Sequence, residues 1–100
     1  MFIVSLSYTA PLEEVDAHLA AHRDFLAAHY ANGTFLMSGR KVPRDGGIIV
    51  ANAPSRAALD AVLGEDPFAR AGVARYEVTE FVPTMTTEAL SAWRVAQRAA

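Results

Sequence analysis

The chain has 100 residues, a formal net charge of −2, 52% hydrophobic residues and no cysteine. This length predicts a single domain, and the apolar content excludes a disordered or fibrous chain. Without cysteine, disulfide scaffolds, thiol catalysis and cysteine-ligated zinc are excluded. The slightly acidic charge argues against nucleic acid as a partner, and no apolar run reaches the ~20 residues of a membrane span. We therefore expect a cytoplasmic protein that binds neither nucleic acid nor a membrane.

The first two elements follow from the spacing of the apolar residues. Apolar and polar residues alternate from Phe2 to Tyr8, which predicts a strand with two different faces. Apolar residues then recur every three or four positions behind Pro11, which predicts an amphipathic helix of about five turns. Thr9 is its expected N-cap. Asn32-Gly33 is expected to end it, because glycine adopts the left-handed conformation without penalty.

The remaining segments complete a β-α-β-β-α-β order. Three further strands are predicted over residues 34–40, 48–51 and 73–82, and a second helix over residues 54–64. A polar turn at 41–47 joins the second and third strands into an antiparallel pair, and a loop at 65–68 precedes the last strand. This order with short connections predicts the α+β class, with a ferredoxin-like βαββαβ fold and a four-stranded antiparallel sheet.

Two helices can cover only one face of a four-stranded sheet. The other face must be wet, or be covered by a ligand, by the tail or by a second subunit. The apolar surplus of so short a chain favours a homodimer formed through this open face. The domain is expected to end at residue 83, and Thr86 or Thr87 could cap a short helix in the extension over 84–100.

The first predicted helix carries three histidines, at positions 18, 22 and 29. His22 stands in the apolar register between Leu19 and Leu26, where a ring with two polar nitrogens is unusual. It is either a core histidine bonded to a backbone carbonyl or a general acid/base, since histidine titrates near neutral pH. The four-residue spacing of His18 and His22 fits a metal site only weakly, because HExxH and cysteine are both missing. We predict neither a metal nor a cofactor.

Asp66 is the second candidate. An aspartate in such a loop commonly bonds the backbone amides of its own turn. The same loop can also approach the first helix, where a carboxylate on one imidazole nitrogen fixes the tautomer and leaves the other nitrogen for a small-molecule ligand. Ser38, Arg40 and Phe68 are expected to line the pocket beside His22. Arg40 could bind an anion there, although a solvated strand end is the favoured interpretation of this residue.

Several segments share the order and spacing of one known family. They are H-R-D-F-L at 22–26, N-G-T-F-L-M-S-G at 32–39, P-R-D-G-G-I-I-V at 43–50, S-R-A-A-L at 55–59, D-P-F at 66–68 and G-V-A-R-Y-E-V-T-E-F at 72–81. On these segments, residues 1–83 resemble the YCII-related family, also called YciI-like proteins. The chain departs from the family pattern at Arg40, where many members have proline, and in the extension from residue 84 onward.

The resemblance implies a ferredoxin-like subunit that pairs sheet to sheet into a dimeric α+β barrel. It also implies a site made of His22 and Asp66. Members resemble enzymes, and one is similar to a dehydrochlorinase that acts on a chlorinated hydroxyquinol. The leading hypothesis is therefore a cofactor-free lyase or isomerase, in which His22 moves a proton on a small aromatic or polyphenolic substrate.

Three alternatives stay open at this point. A non-catalytic binding or accessory module could use the same pocket, a cofactor-free oxygenase is possible by analogy of fold alone, and the extension could serve a purely structural role. If His22 and Asp66 are hydrogen-bonded and both line an open cavity, catalysis by the pair is supported. If either residue is sealed in the core, or the two lie more than about 8 Å apart, the idea of a catalytic dyad fails.

Overall fold

The computed structural model describes residues 1–95, in which four strands and four α-helices precede a 3-10 helix. The strands are β1 (Phe2–Tyr8), β2 (Phe35–Arg40), β3 (Gly46–Ala51) and β4 (Ala74–Glu80). The helices are α1 (Leu12–Ala17), α2 (Leu19–Ala31), α3 (Arg56–Leu63), α4 (Pro67–Arg70) and the 3-10 helix Glu88–Trp93. Of the helices in this part, none combines the length and the apolar character needed to cross a membrane.

The four strands form one antiparallel sheet in the order β2-β3-β1-β4. Leu6 of β1 lies opposite Gly47 of β3 and Tyr76 of β4, and all three share the face that the helices cover. The predicted α+β ferredoxin-like fold is confirmed. The core lies between this face and the helices, and its buried residues are Phe2, Val4, Leu6, Val15, Phe25, Phe35, Ile49, Ala51, Leu59, Leu63, Phe68 and Val73.

The first predicted helix is broken in two. His18 leaves helical geometry, with φ −107° and ψ 4°, and separates α1 from α2. The prediction that Thr9 caps this helix is wrong, because Pro11 occupies the N-cap position and no side chain caps it. The Thr9 hydroxyl instead donates to the Gly72 carbonyl oxygen over 3.1 Å, which ties the end of β1 to the start of β4.

The predicted turn at 41–47 is shorter than expected, because its last two glycines belong to β3. A Cβ atom on Gly46 would lie 1.8 Å from the backbone oxygen of Leu6, so only glycine fits there. Gly47 faces the helices beside Leu6 and has no side chain to fill that space. The start of β3 therefore leaves a gap between the sheet and the helices.

A β-bulge in β2 decides which side chains face that gap. Phe35 lies opposite Ala51, but Met37 lies opposite Val50, so the pairing shifts by one residue between them. A bulge reverses the alternation of the residues that follow it. As a result Ser38 faces the helices, whereas simple alternation from Phe35 would turn it to the open face.

The open face of the sheet carries apolar side chains. Ile3, Ile48 and Val50 are half-buried there, and Met37 is 56% exposed. The extension covers only one end of this face, where a second cavity of about 210 Å³ lies between sheet residues and the 3-10 helix Glu88–Trp93. The predicted tail helix is thus a 3-10 helix, and residues 96–100 of the predicted extension lie outside the described residues.

Candidate functional site

Asp66 is held in place by its own turn. It occupies the N-cap of α4 in an extended conformation, and its Oδ1 atom accepts a hydrogen bond of 3.0 Å from the backbone N–H of Phe68. Pro67 at the first helical position favours this geometry, because proline needs no hydrogen-bond partner there. The loop predicted at 65–68 is therefore a capped helical turn. Asp66 shows no surface to solvent, which is uncommon for a carboxylate unless donors surround it.

Tyr76 supplies a second donor to the same carboxylate. Its hydroxyl donates to Asp66 Oδ2 over 2.6 Å from β4, where it faces the helices beside Val78. Burial, followed by the hydrogen bond to Asp66 and by its charge, raises the pKa of Tyr76 well above its usual 10.0. The phenol therefore stays protonated and keeps donating. Tyr76 was not among the predicted site residues, although an inward-facing tyrosine hydroxyl needs a partner.

His22 is the third donor. Its Nδ1 atom lies 2.8 Å from Asp66 Oδ1, and its ring stacks on the Phe68 ring with centroids 3.9 Å apart and planes 7° apart. A carboxylate partner accepts, so in the neutral imidazole it assigns the single proton to Nδ1, and Nε2 is then the nitrogen without a proton. Within residues 1–95, Nε2 has no hydrogen-bond partner. The residue is 9% exposed, and that surface faces a cavity.

The cavity has a volume of about 560 Å³ and lies between the helices and the end of the sheet where β3 begins. Four of the five predicted site residues line it: His22, Ser38, Arg40 and Phe68. Asp66 does not, because it is buried behind His22. Its burial excludes contact with a ligand, and within the described residues its carboxylate accepts from His22, Phe68 and Tyr76. His22 borders the cavity, whereas Asp66 is sealed in the core, so the two residues do not line the cavity together as expected and only His22 can contact a ligand.

Other cavity residues were not predicted as part of the site. The Arg44 guanidinium, in the turn before β3, donates to Asp16 Oδ1 over 2.5 Å and lies 5.8 Å from the centre of the Tyr8 ring. The hydrogen bond from Arg44 lowers the pKa of Asp16, so this carboxylate is ionised at neutral pH. Arg23 on α2 also lines the cavity. The sequence gives no periodic signal for these residues, since Arg44 lies in a turn and Asp16 and Arg23 are polar helix positions.

His29, seven positions after His22 on α2, is buried away from the cavity. Its Nδ1 accepts a hydrogen bond of 3.2 Å from Asn32 Nδ2, and its Nε2 lies 3.7 Å from Glu65 Oε1. His29 therefore has protein partners for both nitrogens and serves the packing of the helix end. Across residues 1–95, no three His, Asp or Glu side chains cluster closely enough to hold a metal ion.

Comparison with known proteins agrees with this fold. A family model described as the YCII-related domain matches residues 1–82. Among solved structures, the chain is similar to 5-chloro-2-hydroxyhydroquinone dehydrochlorinase from Burkholderia phenoliruptrix AC1100, solved in complex with 2,5-dihydroxybenzoquinone. The TM-score is 0.68 at 19% sequence identity, and the match covers 81% of this chain and 93% of the other. No curated protein matches the chain by sequence.

Proposed function

Because the chain belongs to the YCII-related domain family, we propose that it is an enzyme that moves a proton on a small ring-shaped substrate. The base is the unprotonated Nε2 of His22. One observation carries this proposal: His22 borders a cavity of about 560 Å³, while its Nδ1 is held 2.8 Å from a fully buried carboxylate. A neutral imidazole in this orientation can accept a proton at the cavity side.

The residues that contact His22 on the side away from the cavity favour this proton transfer. When Nε2 takes a proton, the ring becomes an imidazolium, and the Asp66 carboxylate stabilises its charge at a distance of 2.8 Å. The Tyr76 hydroxyl and the Phe68 N–H hold that carboxylate still. Asp66 and Tyr76 are thus positioning residues, and His22 is the catalytic one.

The reaction class that we propose is elimination of a leaving group from a hydroxylated ring. The similar solved structure is a dehydrochlorinase, which favours chloride as the leaving group. First, one ring hydroxyl gives up its proton, which His22 transfers to the ring carbon that carries chlorine. The C–OH group that lost the proton becomes C=O. A second hydroxyl then loses its proton to Nε2 and becomes a carbonyl, while chloride leaves with the C–Cl bonding pair. One proton and one chloride ion are released, and the balance needs no oxidant or reductant.

The test measures chloride release from 5-chloro-2-hydroxyhydroquinone by the full chain and by two matched variants. His22→Asn should lower kcat by at least about a hundredfold, because it removes the proton acceptor. His29→Asn is the control, since His29 is as buried and lies on the same helix but does not line the cavity. It should retain kcat. A His22→Asn variant with the kcat of the wild type would refute the proposal.

A non-catalytic binding module is the alternative, and the same proteins distinguish it. If the wild type releases no chloride but binds 2,5-dihydroxybenzoquinone, and His22→Asn loses that binding, the pocket is a binding site without turnover. If the wild type neither releases chloride nor binds this ligand, His22 is a core histidine with an incidental opening, and both functions are rejected.

We also propose that the working unit is a homodimer formed through the open face of the sheet. Ile3, Ile48 and Val50 are only half-buried on that face in one chain, and Met37 beside them is largely exposed. A second copy of the same face would remove this apolar surface from water by a two-fold contact. The extension from residue 84 covers only the end where Val50 lies, so most of the face stays available.

A further inference from the structure

The cavity beside His22 is lined mainly by positive charge, although the chain as a whole is slightly negative. Three arginines line it: Arg23, Arg40 and Arg44. Among the described residues on its wall, Asp16 is the single carboxylate, and it is already paired with Arg44. Arg23 and Arg40 form no ion pair with any carboxylate of residues 1–95. Arg23 and Arg40 are both exposed to solvent, and within this part of the chain they bring two positive charges without an ion-pair partner to a cavity of a chain whose net charge is −2.

Asp66 does not pair with these arginines. Asp66 lies behind His22 rather than on the cavity wall, and it has no exposed surface. Three donors already surround its carboxylate, from His22, Phe68 and Tyr76. Its carboxylate is occupied by these donors, and among the described residues Asp16 is the carboxylate that a ligand inside the cavity can contact.

Arg23 and Arg40 reach the cavity from two different walls. Arg23 directly follows His22 on α2, and Arg40 ends β2 opposite Gly47. The β2 bulge turns Arg40 to the side of the helices, and Gly47 opposite it also lines the cavity. Both residues therefore line the same space that His22 borders.

Resting on the proposed function, we propose that Arg23 and Arg40 form an oxyanion-binding subsite that selects ring substrates carrying an ionised oxygen. Guanidinium groups bind planar oxygen anions through paired N–H donors, which gives orientation as well as charge. An enolate or a carboxylate on the ring supplies the same chemistry. The arginines also stabilise the negative charge that builds up on the ring when His22 removes a proton.

Three ring compounds test the subsite by calorimetric titration of the full-length protein at neutral pH. 2,5-Dihydroxybenzoquinone is a vinylogous carboxylic acid and is an enolate under these conditions. 2,5-Dimethoxybenzoquinone has the same ring and cannot ionise, and 2,5-dihydroxybenzoate carries a carboxylate instead. The wild type should bind at least one of the two anions at least about tenfold more tightly than the neutral ring, and added salt should weaken only the anions.

Matched variants assign that preference to the two arginines. Arg23→Gln and Arg40→Gln should each weaken anion binding about fivefold or more, and the double variant should bring it to the level of the neutral ring. Binding of the neutral ring should not change. Arg56→Gln is the control, because it removes the same charge from an exposed residue of α3 that does not line the cavity.

Two outcomes would overturn the subsite. One is equal binding of all three compounds by the wild type. The other is a double variant that keeps the anion preference. Tighter binding of the enolate or of the benzoate indicates which oxyanion the natural substrate carries, and either order supports the subsite. The proposed acid–base function fails separately, because it is tested by turnover in His22→Asn, whereas the subsite is tested by affinity in the arginine variants.

Discussion

Asp66 accepts the Nδ1 proton of His22 across 2.8 Å and is itself fully buried. The pair comes from elements 44 residues apart, and a third residue, Tyr76, closes the far side of the carboxylate at 2.6 Å. A buried carboxylate with three donors orients the imidazole and cannot reach a ligand. Changes at Asp66 should therefore act on catalysis and on stability through its partners.

Asp66→Asn removes the charge and retains the shape, so the imidazolium loses its counter-charge. We expect kcat for chloride release to fall at least about a hundredfold, and the free energy of unfolding to fall by about 1–3 kcal/mol. Asp66→Ala leaves the donors of His22 and Tyr76 without an acceptor and should cost about 3–5 kcal/mol. Initial rates and urea denaturation measure these effects.

Asp60→Asn is the matched control for both variants. Asp60 is exposed on α3, and among the described residues Arg56 is its one ion-pair partner, so its change should move stability by no more than about 0.5 kcal/mol. If Asp66→Asn keeps the wild-type kcat while losing stability, the carboxylate serves the fold alone and the positioning role is rejected.

Tyr76 makes the free energy of unfolding depend on pH in the alkaline range. Its pKa in the folded protein is raised above the usual 10.0, first by burial and then by its bond to Asp66. Above pH 10.0 the folded state holds this proton while the unfolded state loses it, so the free energy of unfolding decreases as pH rises. Below that value, the contribution is fully present.

Tyr76→Phe should therefore show a shallower loss of stability above pH 10.0 than the wild type does. It should also cost about 1–3 kcal/mol at neutral pH, because Asp66 loses one of its three donors. Urea denaturation from neutral to alkaline pH measures both effects. If the free energy of unfolding falls with the same slope in both proteins above pH 10.0, Tyr76 ionises in the folded protein as readily as in the unfolded chain, and the expected pKa shift is contradicted.

Gly46 is required at the start of β3. A Cβ atom there would lie 1.8 Å from the backbone oxygen of Leu6, and a backbone atom cannot move aside as a flexible side chain can. Gly46→Ala should destabilise the protein by at least about 2 kcal/mol or prevent folding. Gly39→Ala is the control, because nothing lies within 4 Å of its Cβ position. Thermal unfolding of the two variants should differ in Tm, and equal values would contradict this account of the strand pairing.

The order of the strands and helices was predictable, because hydrophobic periodicity and turn residues act locally. The break at His18 was not, since apolar spacing continues through it from Val15 to Leu19. Thr9 was assigned as a cap because the sequence shows that it precedes a helix. Its actual acceptor, the Gly72 carbonyl, is 63 positions away and depends on tertiary structure.

The candidate site was predictable only in part, for the same reason. His22 stood out as a polar residue in an apolar register, and the placement of Asp66 beside it needed the β-α-β-β-α-β order. Tyr76 was missed because its partner is fixed by the fold rather than by sequence spacing. The β2 bulge could not be predicted either, although it turns Ser38 and Arg40 to the cavity.

The proposed homodimer predicts opposite results for substitutions at two exposed apolar residues. Met37 is 56% exposed on the open face of the sheet, and Leu12 is 44% exposed on α1, away from that face. Met37→Asp should bury a charge in a two-fold contact, where each copy places it opposite the same surface, so the dimer should dissociate. Leu12→Asp should leave the assembly unchanged.

Light scattering during size-exclusion chromatography gives the mass of each protein in solution. The wild type and Leu12→Asp should both show twice the chain mass of 10.7 kDa, and Met37→Asp should show 10.7 kDa. Because Met37 is already exposed in one chain, its substitution should not unfold the subunit, and circular dichroism checks this. A wild type that elutes at the mass of one chain would reject the dimer, and an intact dimer of Met37→Asp would place the contact on another surface.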